Sequence, residues 1–216
     1  MGASLVKAVV SDFAGVLTES LQPTFRRFEQ RTGISRDVFE TAVGEVAAAY
    51  GRRGLEPLEL GICSEAEWGL AVSAIVYDRT GMRLDLRDFG ARWWFPGRER
   101  NDEFIAYLGQ LRGAGYMIAM LTNNVREWEP LWRSMIPEAD ELFDVVVNSC
   151  EEGVHKPDEE IFARACDRLE LAPEQCVLVD DLAANCAGAR AAGWRAVQYR
   201  ASFDDVRREL DELLHR

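Results

Sequence analysis

Short apolar, β-branched runs recur along this chain, and most of them stop abruptly at a polar or acidic residue. They are Leu5–Ser11, Tyr116–Leu121, Phe143–Val147, Cys176–Val179 and Ala196–Tyr199. Runs of this length without polar alternation form strands buried on both faces, as in parallel sheets. Helical patterns separate them, over Asn101–Arg112, Arg126–Met135, Pro157–Leu169 and Ala183–Ala192, with Phe203–Leu214 at the end. Alternating strands and crossover-length helices predict an α/β fold, a doubly wound parallel sheet.

One connection breaks the rhythm. Residues 19–98 far exceed a single crossover and carry helical patterns at Thr24–Arg31, Arg36–Tyr50 and Glu65–Tyr77. The last is opened by Ser64-x-x-Glu67, a capping box in which each residue satisfies a backbone N–H of the other. Residues 1–18 and 99–216 therefore read as the α/β core, and 19–98 as an inserted helical lid. The lid leaves after the first strand and returns through Trp93-Trp94-Phe95-Pro96-Gly97, where the tryptophans are expected to pack the hinge.

In a parallel sheet, ligands gather outside the carboxyl ends of the strands. Asp12 ends the first run, Thr122-Asn123 the second, Ser149 lies past the third, and Asp180-Asp181 end the fourth. A net charge of −12 works against nucleic acid and anionic lipid as partners. A small anionic substrate then needs a cation built in locally. Lys156 is the candidate, one of two lysines among 25 basic residues. Asp158, Glu159 and Glu160 read as first-turn acids that complement a helix dipole, and His155 as a solvated loop residue. Arg52 and Arg53, beside Gly51 and Gly54, could reach an anionic tail. Five cysteines without a C-x-x-C pair fit a reducing cytoplasm, and no apolar run is long enough to span a membrane. A monomer or homodimer is expected.

SDFAGVLT around Asp12, MLTNN around Thr122, GVHKPDEEIF around Lys156 and VLVDDLAANCAGARAAG around Asp180 and Asp181 resemble, in order and spacing, the four motifs of the haloacid dehalogenase superfamily. The insertion after the first motif resembles that family's C1-type helical cap. The resemblance implies a Rossmann-like core and Mg²⁺, held by Asp12, the Ala14 carbonyl and Asp181, with Asp180 behind them and Asn185 supporting the loop. It implies Asp12 as nucleophile, Lys156 as charge partner, and Thr122 with the Asn123 N–H as the cradle for phosphoryl oxygens. A carboxylate nucleophile splits a phosphoryl transfer into two easier steps through an aspartyl-phosphate.

The sequence departs from the family at Ala14, where its phosphatases carry a second aspartate as general acid. Such a group is typically worth about 10²–10⁴-fold. A phosphohydrolase would then take a substrate that leaves easily, such as an acyl or aryl phosphate, or find its acid elsewhere, with Glu19 or a lid residue as candidates. Alanine also occupies this position in phosphonoacetaldehyde hydrolase, but that mechanism needs a lid lysine, and 19–98 contains none. Dehalogenation needs no proton for its leaving group, yet has no use for the acidic loop at Asp180-Asp181. A binding or regulatory protein of the same fold is the remaining alternative.

Overall fold

The computed structural model describes residues 6–200 and 202–214. Five parallel strands form one sheet: β1 (Ala8–Ser11), β2 (Met117–Thr122), β3 (Val145–Asn148), β4 (Cys176–Asp180) and β5 (Arg195–Gln198), in the order β3-β2-β1-β4-β5. Each apolar run is thus a strand, displaced by one to three residues from its expected bounds; Leu5 lies outside the described residues. Side chains alternate across the pleat, so both faces must be covered. Val9, Ile118, Met120, Val177 and Val179 enter one core. Val10, Ala119, Leu121, Val147 and Leu178 enter the other.

The helical insertion comprises α1 (Leu21–Thr32), α2 (Arg36–Ala49), α3 (Glu56–Glu59) and α4 (Glu65–Thr80). The remaining helices are α5 (Asp102–Gly113), α6 (Glu129–Met135), α7 (Ala139–Leu142), α8 (Ser149–Glu152), α9 (Glu159–Leu169), α10 (Ala183–Ala191) and α11 (Phe203–Leu214). On the first face of the sheet, α5, α6 and α11 bury Phe104, Leu108, Trp132, Val206 and Leu210. On the second, α9 and α10 bury Ile161, Phe162, Ala165 and Ala189. Two expected helices begin late. The segment from Arg126 opens with a 3₁₀ turn through Trp128 before α6, and α9 starts at Glu159, so Pro157 precedes the helix instead of occupying its first turn.

The insertion has a core of its own, with Phe28, Phe39, Val46, Trp68, Val72 and Phe89 at its centre. Val125 and Trp128, from the segment after β2, belong to that same cluster. The Ser64–Glu67 capping box forms as expected at the start of α4. Glu65, beside it, is buried; its Oε1 accepts from Trp128 Nε1 at 2.6 Å and from Gly90 N at 2.5 Å. Where the chain leaves β1 and where it returns, Arg98 joins the two segments. Its buried guanidinium donates to Thr18 Oγ1 (3.1 Å), the Glu19 carbonyl (3.0 Å) and Thr24 Oγ1 (2.9 Å). Among the described residues no helix is long and apolar enough to cross a membrane.

Candidate active site

β1 is central, and the chain reverses its direction of progress across the sheet between β1 and β4, which opens a crevice at their carboxyl ends. Asp12 follows β1 and its N–H donates to the Val179 carbonyl at 2.9 Å. Asp180 ends β4, so two acids on adjacent strands stand side by side. Lys156 comes from the loop between α8 and α9 and has a fully buried side chain. Its Nζ lies 2.9 Å from Asp12 Oδ1, and donates to Asp180 Oδ2 at 2.6 Å and the Leu121 carbonyl at 2.7 Å.

That loop is positioned by side chains the strands supply. Asn123 Nδ2 donates to the Lys156 carbonyl and Asn123 Oδ1 accepts from Lys156 N, both at 2.9 Å. On the other side, α10 brings Gly188 against Pro157 so closely that a Cβ there would lie 2.4 Å from the Pro157 carbonyl oxygen. Thr122 ends β2, buried, directly after the carbonyl that Lys156 bonds. Ser149 bonds away from the carboxylates: its Oγ accepts from Asn124 N at 3.1 Å and donates to the Glu59 carbonyl at 2.5 Å, tying α3 to the sheet.

Asp180 has little capacity left. Beyond Lys156, its Oδ1 accepts from Leu182 N at 2.9 Å and from Asn185 Nδ2 at 3.0 Å. Asp181 is only partly buried and comes so close to the first loop that a Cβ on Gly15 would sit 2.4 Å from Asp181 Oδ2. Gly15 also has φ +84°, a conformation that costs glycine least.

The charge balance is uneven: three carboxylates surround one ammonium. Burial raises the Asp12 carboxyl to about 7; Lys156 opposes this, while Asp180 and Asp181 add to it. Asp181 is raised to about 6, first by burial and then by Asp180. Burial alone would lower the Lys156 ammonium, but attraction to Asp12 and Asp180 outweighs it and holds the proton on. Asp12, Asp180 and Asp181 each present an oxygen within 4.8 Å of the others. An all-oxygen set with surplus negative charge fits a hard divalent cation such as Mg²⁺.

A cavity of about 420 Å³ opens above this cluster. Asp12, Ala14, Asn123, Lys156 and Asp181 line its base, and Arg53, Leu55, Glu56 and Glu59 reach it from the insertion. Arg53 forms no ion pair among the described residues; Arg52, also exposed, does not line the cavity. Trp93 packs on Phe28 and Arg31 of α1. Trp94 packs on Trp128 at 5.1 Å, and both also line the cavity. Glu19 does not line this cavity; it pairs with Arg27 and lines an adjoining hollow of about 630 Å³ that Asp181 also borders. His155, expected to be solvated, has a side chain only 13% exposed and lines the cavity. Its partner Glu59 lies on a four-residue helix, too short to leave a periodic signal in the sequence.

Residues 6–193 match the haloacid dehalogenase-like hydrolases, and the chain belongs to that family. It is 36% identical over 107 residues to acyl-CoA dehydrogenase family member 10 from Mus musculus, a match covering 50% of this chain and 10% of that protein. It is 30% identical over 165 residues to glyceraldehyde 3-phosphate phosphatase from Pyrococcus furiosus, covering 64% and 67% respectively. A third relative is (S)-2-haloacid dehalogenase 1 from a Pseudomonas species, 30% identical over 118 residues, 50% of this chain and 51% of that one. The fold superposes on the structure of a predicted HAD-like family hydrolase from Porphyromonas gingivalis with a TM-score of 0.69, at 24% identity over 99% of this chain and 100% of that one. A HAD family enzyme from Bacteroides thetaiotaomicron, in complex with magnesium and inorganic phosphate, superposes with a TM-score of 0.63 at 16% identity, covering 93% and 98%.

Proposed function

We propose that this chain is a Mg²⁺-dependent phosphohydrolase that forms an aspartyl-phosphate on Asp12 and acts on a small phosphorylated metabolite. The observation that carries the reading is the buried Lys156 ammonium set between Asp12 and Asp180, with Asp181 adding a third carboxylate to that single ammonium. Asp12, the Ala14 carbonyl and Asp181 would hold the ion, which neutralises phosphoryl charge when bound. Asp180, spent on Lys156, Leu182 and Asn185, keeps Lys156 and the following loop in place.

Asp12 attacks phosphorus while Lys156 offsets charge on the attacking carboxylate and on the phosphoryl oxygens. Thr122, which ends β2, and the N–H of Asn123 after it hold those oxygens in this reading. Trp94, Trp128, Val125 and Leu55 give the leaving group an apolar surround, and unpaired Arg53 offers a site for an anionic end; Arg52 drops out of this role. With Ala14 at the cavity base, acyl and aryl phosphates suit the site directly. Five free thiols suit a reducing cytoplasm.

Phosphate release from acyl and aryl phosphates, with and without Mg²⁺, tests the reading. Wild-type release that requires Mg²⁺, and falls at least 10³-fold in Asp12→Asn, is the expected result. Chloride release from 2-chloropropionate without Mg²⁺ would instead make the chain a dehalogenase. Neither product from any substrate would leave a binding protein of the same fold.

A further inference from the structure

Above the carboxylates, the cavity holds a titratable pair that the proposed mechanism leaves unused. His155 belongs to the Lys156 loop and Glu59 to α3 of the insertion, so the pair bridges the two parts of the molecule. His155 Nδ1 lies 3.8 Å from Glu59 Oε2 and 3.5 Å from Asn123 Nδ2; Nε2 lies 3.8 Å from Asp158 Oδ2. The Ser149 hydrogen bond to the Glu59 carbonyl fixes α3 at this spot.

We propose that His155 donates the proton to the departing oxygen and that Glu59 orients the imidazole, supplying from the cavity wall what Ala14 cannot supply from the first loop. The inference rests on the phosphohydrolase reading and widens its substrates to alkyl phosphates. In-line attack by Asp12 directs the leaving group away from the sheet and towards the insertion, the side on which the pair stands. The Glu59 carboxylate faces the Nδ1 edge of the ring at 3.8 Å, which leaves Nε2–H for the ester. As the ester P–O bond breaks, its electron pair stays on the leaving oxygen, which takes that proton, while the Asp12 oxygen bonds to phosphorus. The neutral Nε2 then accepts a proton from water as the water oxygen attacks phosphorus and the acyl-phosphate bond returns its pair to Asp12.

The surrounding charges suit this cycle. Glu59 and Glu56 face His155 from α3, and Asp158 from its own loop; Lys156, next in sequence, turns its charge to Asp12 and Asp180, and Arg53 shares the cavity. Glu59 raises the imidazole above its ordinary range, against the effect of burial, and Asp158 and Glu56 add to the rise. These carboxylates favour the imidazolium, the form that can donate.

Kinetics on n-propyl phosphate, whose alkoxide needs a proton, and on p-nitrophenyl phosphate, whose phenolate does not, test the proposal at saturating Mg²⁺. His155→Asn is expected to lower kcat/KM, which reports only the steps up to departure of the leaving group, on n-propyl phosphate by about 100-fold or more, and on p-nitrophenyl phosphate by less than tenfold. The second substrate also reports that the variant folds. Glu59→Gln is expected to move the alkaline limb of kcat/KM on n-propyl phosphate to lower pH, since the imidazole loses the charge that raises it. Equal losses on both substrates, no loss on n-propyl phosphate, or an unmoved alkaline limb in Glu59→Gln overturns the proposal. So does a wild type that turns over only p-nitrophenyl phosphate, with the phosphohydrolase reading intact. Wild-type release from neither ester, nor from the acyl phosphates, removes that reading and this inference together.

Discussion

A lysine enclosed by two carboxylates and a carbonyl sits in a low-dielectric site, and what it does is best seen by removing it. Lys156→Met would leave Asp12 and Asp180 without the ammonium that both face. Removing one partner of a buried pair costs about 3–5 kcal/mol because the other charge stays buried. Urea unfolding of the metal-free variant should show a loss of that order, partly relieved by protonation of Asp12. Phosphate release should fall by about 10²–10³-fold or more, the usual effect of deleting one electrostatic contact in a transition state. An unchanged rate would mean that Lys156 is structural only. The same residue shows how the chain exposes its chemistry: a lysine that stands nearly alone among arginines is conspicuous in the sequence, whereas His155 is not. Nothing next to His155 in sequence marks it for burial, because the residue that pairs with it lies about a hundred positions away.

The joints between insertion and sheet are made by buried polar residues that no periodicity marks. Glu65 heads α4, where an acid is expected for the helix dipole; instead of facing water it accepts from Trp128 and Gly90. Its carboxyl is raised, chiefly by burial, while those two donors act the other way. Glu65→Ala orphans both donors and should cost about 2–6 kcal/mol, taking about 1–3 kcal/mol for each unsatisfied buried group, as read by urea unfolding; Glu65→Gln should retain most of that stability. Ser64, beside it, was legible because its capping partner is three residues away. Helix starts were less legible where turn geometry intervened, as at Pro157, which precedes α9, and at Arg126, where a 3₁₀ turn delays α6.

For the whole molecule, the surplus acid at the site sets how stability responds to pH. Asp12 and Asp181 have carboxyls raised to about 7 and about 6, above the value of about 3.9 in an unfolded chain. The native state therefore binds more protons than the unfolded state between those limits. The contribution of these two groups is most favourable below pH 4 and is lost as pH rises through 6 and 7. Thermal unfolding of metal-free protein should reflect that loss, and Mg²⁺ should raise Tm more at pH 8 than at pH 5, because it binds the ionised carboxylates. An equal Mg²⁺ effect at both values would exclude these acids as its ligands. By itself the sequence determined the parallel α/β core, the helical character of the insertion and the family, because strand runs, helix periods and motif order are local or collinear patterns. Only the tertiary structure decided that Lys156 is buried between Asp12 and Asp180, that Arg53 and not Arg52 lines the cavity, and that Glu19 pairs with Arg27 while Glu59 meets His155. Burial and charge pairing depend on which distant segments share a space, and one chain read in order carries no record of that.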